Sequence, residues 1–588
     1  SSGTLTVGSL DIGHGAGGAT TNTALGTDAL DTTAAGAVSN TAIGQSAATA
    51  LITGDKNTAI GAYAMDESNA NAQSNTAVGY ASLSAAAVDD NTAIGAKALN
   101  VYTGSDATAV GSGAADVAVS QTGLTAIGTG ALGAATSGNF NTAVGKDALA
   151  TTVDGASNTA VGRDALGGAD CADDNTAVGK DSLKVFTGSN ATAVGSGAAD
   201  AATSAANLTA VGKNAAGSVT EGDDHTAVGA GALASCTTGA QNTALGTSAA
   251  YSLTGSSNVM VGMQAGYYAT TVDHCVAIGR DAFLGASGNT TGDYNIAIGS
   301  YSLDAATTAA NNVAIGYQAG TAIDEQSDNV AVGYKALKTE TSSGGSVAIG
   351  SEALETQNVS NSNNVAVGRL AGHLLTTGTD GVYIGHSAAG GATLTGDDNT
   401  VVGSGAGYDL TSGYRNVIIG EAAAANFTNN HNNVVIGRHA MVSANDGELY
   451  NVAIGSGALS SETSGADGCV AIGYYAMIGQ NADVENTAIG YAALLHNKSA
   501  NGNTAVGYQA GQTVVDVDNT FIGDNAGAAV GHAAANVAVG AHAYGSSYFT
   551  DGTCDLNGST TILCDSSGQI AVGQAVVGSG IPYGAYVD

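Results

Sequence analysis

The chain has 588 residues, of which 88 are Gly, one is Pro and none is Trp; aromatic residues make up 5% and charged residues 11%. So few aromatics argue against several conventional cores, 44% hydrophobic residues argue against a solvated coil, and the lack of abundant Pro excludes collagen. A net charge of −35 repels nucleic acid and anionic lipid, because phosphate binding depends on clustered Lys and Arg. With no long apolar run to span a membrane, the expectation is no nucleic-acid partner and no membrane insertion.

A five-residue unit, most often Asn-Thr-Ala-Ile/Val-Gly, recurs along the chain from a degenerate first copy at Thr4–Gly8 to Asn536–Gly540. There are 32 copies, and the 31 steps from residue 4 to residue 536 average 17.2 residues. Such a period specifies a solenoid, in which each turn buries its apolar face only by stacking on its neighbours. The predicted architecture is all-β: a left-handed parallel β-roll of about 32 turns over residues 1–540. A separate small β-rich module, capping or connecting, follows over residues 541–588. At ~4.8 Å per turn the roll would form a rod on the order of 150 Å long.

With the Asn as position 0, position 4 is always Gly and position 3 is always Ile, Val or Leu. Position 1 is Thr through the first half (Thr23, Thr41, Thr58 through to Thr243) and mostly Val thereafter (Val259, Val276, Val313, Val330). Both are β-branched, which suits a strand. Because side chains alternate along a strand, positions 1 and 3 share one side and positions 0 and 2 the other. The large aliphatics suggest that positions 1 and 3 point into the core. The Asn row (Asn22, Asn40, Asn57, Asn75, Asn141, Asn158, Asn175) is read as a structural ladder of amides satisfying turn backbone groups.

Position 2 is Ala in most copies, with Met260, Tyr383, Val401, Ile418, Val435 and Phe521 as larger exceptions. Placed outward, this row would exceed the apolar surface a soluble monomer exposes. It therefore predicts a parallel homo-oligomer with Ala24, Ala42, Ala59, Met260, Tyr383, Ile418 and Phe521 at its axis. A thin roll also buries little per turn against the backbone entropy it orders.

Strings such as Asn141-Thr-Ala-Val-Gly145, Asn312-Val-Ala-Ile-Gly316 and Asn451-Val-Ala-Ile-Gly455 resemble the head repeats of trimeric autotransporter adhesins. Asn503-Thr-Ala-Val-Gly-Tyr-Gln-Ala-Gly511 is more similar to the longer repeats of bacteriophage tail-fibre proteins. The resemblance covers residues 1–540. It implies a left-handed parallel β-roll, three chains around one axis, and a fibre or adhesin role. Adhesin heads have shorter turns, so the 17-residue step favours the fibre.

Acidic residues gather just before position 0, at Asp89-Asp90, Asp173-Asp174, Asp223-Asp224 and Asp397-Asp398. Stacked carboxylates could bind Ca²⁺, but these pairs are mostly not in adjacent turns, and the competing reading is turn-forming, solvated Asp. Of the 14 basic residues, seven sit at position 5, including Lys146, Arg163 and Lys180 in three successive turns. Each is followed by Asp, which suggests ion pairing, either within the chain or across a subunit boundary. Tyr80, Tyr317, Tyr334, Tyr474, Tyr491 and Tyr508 also occupy position 5, where they could cover the roll's edge or stack on sugar rings.

Cys275 and Cys469 stand at position 0, and Cys171 and Cys236 in loops. Cys554 and Cys564 bracket Asn557-Gly558, a turn signal, and are a candidate disulfide in an oxidising setting. No nucleophile–base arrangement, phosphate loop or dinucleotide fingerprint appears, so no enzyme and no cofactor beyond the Ca²⁺ candidate is expected. Hexapeptide acyltransferase solenoids carry three aliphatic positions per turn, against one here. Ice-binding solenoids present outward Thr-x-Thr pairs, whereas this repeat offers one Thr that the alternation argument turns inward. The function read from the sequence is the structural shaft of a trimeric fibre, most in keeping with a phage tail fibre on a virion. Its partners are then itself, other fibre or virion proteins, and a host glycan or protein. The alternative is a surface adhesin whose roll grips glycan or matrix protein.

Overall fold

The computed structural model describes residues 5–543, apart from 8–9, 35, 68–69, 87, 287–289, 445–446, 462–465, 480–484, 498–499 and 529–533. The expected C-terminal module and the Cys554–Cys564 pair lie outside the described residues. The fold is all-β, a parallel solenoid of about 29 turns at ~17-residue spacing. No described helix is long and apolar enough to cross a membrane.

The chain divides into two units, Ser1–Ser300 and Tyr301–Asp588. Unit 1 opens with an antiparallel pair, β1 (Leu5–Val7) and β2 (Leu10–Gly13), and β2 pairs antiparallel with β3 (Thr23–Leu25). The described part of the degenerate first copy, Leu5–Val7, therefore pairs antiparallel and is not a turn of the roll; parallel stacking begins at β3. From there each turn carries one three-residue strand, ending in unit 1 at β19 (Ile296–Ile298); unit 2 runs from β20 (Val313–Ile315) to β33 (Val537–Val539). Within each unit, residues pair with their equivalents one turn on, as Thr142, Ala143 and Val144 do with Thr159, Ala160 and Val161.

The strand faces are the reverse of the sequence expectation. Position 2 is the buried one: Ala42, Ala59, Met260, Tyr383, Ile418 and Phe521 are wholly buried and Ala24 is 6% exposed. These residues line the core of the chain's own roll and are unavailable to an oligomer axis. Positions 1 and 3 point outward, with Ile60, Ile127 and Leu245 at 37%, 40% and 46% exposure. Volume explains the inversion. Inside the turn, position 2 faces the buried residues of positions 7, 8 and 11, such as Ala98, Leu99 and Tyr102 in the turn of Asn91. These fill the narrow section, leaving room for a methyl in most turns.

At Met260, Val401 and Phe521 position 8 of the same turn is Gly, whereas the turns of Tyr383, Ile418 and Val435 carry Ala389, Ala424 and Met441 there. A Cβ on Gly266 would lie 2.6 Å from the Met260 sulfur, and one on Gly527 would lie 2.3 Å from the Phe521 ring. Tyr383 instead lies against Gly372 of the preceding turn, where a Cβ would be 3.3 Å from its ring. In these cases a Gly at position 8 makes room for a bulky position 2, in its own turn or in the next.

The turn after each strand rests on the position-4 Gly. Gly145 has φ +138°, and a Cβ there would meet the Gly162 carbonyl oxygen of the next turn at 2.4 Å. Positions 6 and 8 then take left-handed backbone even with side chains, as Asp147 (φ +55°) and Leu149 (φ +51°) do. That conformation costs about 1–2 kcal/mol per residue. Here it aims amides along the stack: Asp147 donates to the Thr129 carbonyl one turn back, and Leu149 to the Ala165 carbonyl one turn on, both at 3.0 Å.

The Asn row lies buried along the same wall. Asn22, Asn40, Asn57 and Asn141 each accept the amide of the Asn one turn on, at 2.9–3.0 Å. Asn158 does the same for Asn175, and Asn75 for Asn91, both at 2.9 Å. In most turns Nδ2 donates across the turn to a carbonyl, as from Asn22 to Ala37 and from Asn57 to Ala72; Asn158 Nδ2 is an exception with no partner. Where Cys275, Cys469 or His225 replaces Asn, the ladder continues. Cys275 and Cys469 still donate their amides to Asn258 and Asn451, and His225 Nδ1 accepts the Asn242 amide.

Candidate self-association face

Outward-pointing positions 1 and 3 form two rows along each unit's sheet. Every residue in them is Thr, Val, Ile or Leu, and none is charged. In unit 1, position 1 is Thr in fourteen successive strands from β3 to β16 (Thr243–Leu245), followed by Val259, Val276 and Ile296. Among the described residues, none of these Thr hydroxyls has a hydrogen-bond partner within the chain. In unit 2, position 1 is Val in ten of fourteen strands, with Thr400, Thr487, Thr504 and Thr520 as the exceptions. The rows are rigidly spaced at ~4.8 Å along the stack. The outward Thr removes one ground for setting aside an ice-binding face; the other, a single Thr per strand exchanged for Val, stands.

Among the described residues of the parallel turns, the charged side chains lie off this face, outside the strands. Lys146, Arg163 and Lys180 pair with the Asp that follows each, and Arg163–Asp164 and Lys180–Asp181 measure 3.0 and 2.9 Å. The partners are sequence neighbours within one turn. Hydrogen bonding from Lys180 holds the Asp181 carboxyl below its usual range.

The acidic pairs have a division of labour. Asp89, Asp173, Asp223 and Asp397 each accept, through Oδ1, the amide at the equivalent position one turn back (Gln73, Ala156, Ala206 and Thr379), all at 2.8 Å. Asp90, Asp174, Asp224 and Asp398 take left-handed backbone with φ between +57° and +62°. One Asp thus caps a neighbouring turn and the other makes its own. Among the described residues the one metal-ligand cluster is elsewhere, at Glu352, Glu355 and His373. Of these, Glu355 is already engaged: Lys335, Lys338 and His373 lie 3.5, 3.6 and 3.1 Å from its carboxylate oxygens.

Tyr474, Tyr491 and Tyr508 stack on one another with centroids 5.5 and 5.0 Å apart, as Tyr317 and Tyr334 do at 5.7 Å. The turn rise matches ring-stacking distance, so each ring turns its faces to its neighbours and its edge to solvent. A sugar would need the faces.

Sequence reasoning missed a buried polar cluster in unit 2, where Ser346 takes position 0. Glu340 accepts the Ser342 and Ser343 amides and the Gln357 amide, each at 2.7 Å, and Gln357 accepts from Asn364 at 3.0 Å. Burial pushes the Glu340 carboxyl upward. The available signal was polar residues at position 11, a site held elsewhere by Leu51, Tyr102 or Phe186.

Cys171, Cys236, Cys275 and Cys469 are free thiols, all buried. A comparison with models of known protein families finds no match, and a comparison with curated proteins finds none either.

Proposed function

We propose that the chain is the structural shaft of an extended fibre, built from parallel copies of itself and most in keeping with a phage tail fibre. The observation that carries this reading is the pair of charge-free rows of Thr, Val, Ile and Leu on the outside of each unit. Such rows exceed the apolar surface a soluble monomer leaves exposed, while every charged pair described above is kept in the turns. The copies meet through positions 1 and 3, not through the Ala row. Three copies around one axis is what the resemblance to trimeric fibres and adhesin heads implies. In-register strands fit parallel association, since each turn of one copy then meets the same turn of the next.

On this reading the work is mechanical. The fold offers stiffness through ladders of backbone and Asn hydrogen bonds, and no reaction is assigned to it. The fibre would stand on a virion or extracellular surface, with other fibre or virion proteins at its ends. Sedimentation velocity tests the reading directly: a mass of three chains is expected, and a stable folded monomer at micromolar concentration overturns it.

The adhesin alternative keeps the same assembly and assigns glycan binding to the roll. The Tyr rows are its best candidate, but their rings face one another. Glycan-array binding that disappears in Tyr491→Ala would favour it over the shaft.

A further inference from the structure

The two units differ in what their outward faces carry, and that difference bears on how copies hold together. We propose that the Val-bearing face of unit 2 forms a dry, tight seam between copies, and the Thr-bearing face of unit 1 a hydrated, weaker one. This rests on the self-association proposed above and adds where along the chain its strength resides.

The argument is one of desolvation. Thr and Val have nearly the same shape, so either fits the same packing. A Thr hydroxyl covered by a partner must keep a hydrogen bond or suffer the full penalty of an unsatisfied polar group. In unit 1 the fourteen successive Thr hydroxyls have no partner within the chain, among the described residues. Closing that face therefore requires bridging waters or hydroxyls of another copy. Val makes no such demand. Position 3 follows the same trend, with Ile in nine of fourteen strands of unit 2 against six of seventeen in β3–β19 of unit 1.

Area supports a second copy as the occupant. Two rows over fourteen strands, each side chain exposing on the order of 50 Å², offer about 1,400 Å² per copy in unit 2, above the ~800 Å² per partner of a standard stable interface. No charge on the face specifies a different, oppositely charged partner.

Two triple variants of the full chain test this. Val330→Thr, Val347→Thr and Val365→Thr change the unit 2 face; Thr142→Val, Thr159→Val and Thr176→Val change the unit 1 face. All six positions lie outside the chain's own core. Sedimentation equilibrium across a urea series is expected to find the assembly at least tenfold weaker for the first set and tighter for the second. The unaltered protein supplies a second measurement that needs no variant. Hydrogen exchange of the assembly in rising urea should release unit 1 strands before unit 2 strands, at a midpoint that falls on dilution. If the unaltered chain is monomeric, the self-association reading itself fails. If it assembles but neither variant set shifts dissociation, or unit 2 is released first, this inference is overturned while self-association stands.

Discussion

Asn141 accepts the backbone amide of Asn158 through Oδ1 at 2.9 Å, one turn along the stack. Its Nδ2 meanwhile donates to the Gly155 carbonyl at 2.7 Å. One side chain thus joins two successive turns and closes the first.

Asn141→Ala would strand the buried Asn158 amide. An unsatisfied buried group costs about 1–3 kcal/mol, so urea unfolding should show a loss of that order. Hydrogen exchange should rise locally around residues 155–159. Unchanged exchange there would mean the ladder does not hold these turns.

The pairing of Phe521 with Gly527 predicts a compensating swap. Phe521→Ala opens a cavity worth about 3–5 kcal/mol, and Gly527→Leu alone must collide with the ring, since even a Cβ would lie 2.3 Å from it. The double variant recreates the Ala-and-Leu arrangement of Ala143 with Leu149 and should recover most of the loss. A double-mutant cycle by urea unfolding measures the coupling; additive losses would refute the complementarity.

His225 stands in the Asn ladder and accepts the Asn242 amide through Nδ1, at 3.3 Å. Burial lowers its pKa, so the folded chain prefers the neutral ring. The resulting stability is complete above the unfolded value of about 6.5 and is lost as pH falls below it. His225→Asn should therefore flatten the dependence of stability on pH between about 7 and 5. An identical slope in both proteins would show that another group carries it.

Burial raises the Cys236 and Cys275 thiols to about 11 and 12. Since the thiolate is the nucleophile, native protein at pH 8 should resist iodoacetamide at Cys171, Cys236, Cys275 and Cys469. All four should label after denaturation. Mass spectrometry resolves each site, and rapid native labelling of Cys275 would contradict its place in the ladder.

Much of the fold is legible without coordinates. The invariant Gly at position 4 follows from a backbone that a Cβ would drive into the next turn's carbonyl, as at Gly145. The period of about 17 follows from equivalent residues stacking in register, and the Asn row from turns that leave amides and carbonyls to be paired. Local chemistry specifies these features, so one repeat contains the whole reason for each.

The direction of the strand is different. Thr-Ala-Val alternates two apolar kinds of residue, and alternation says only that Thr142 and Val144 share a side that Ala143 does not. Which side is inner depends on the volume left by residues far along the turn, such as Leu149, and in the next turns. Reading the larger aliphatics as core places Ala24, Ala42 and Ala59 at an oligomer axis; the tertiary structure buries them in the chain's own roll. The sequence by itself determined a stack of near-identical turns with Gly and Asn at set places. Only the tertiary structure decided which strand face is buried, because packing volume is a property of the closed turn and not of the strand.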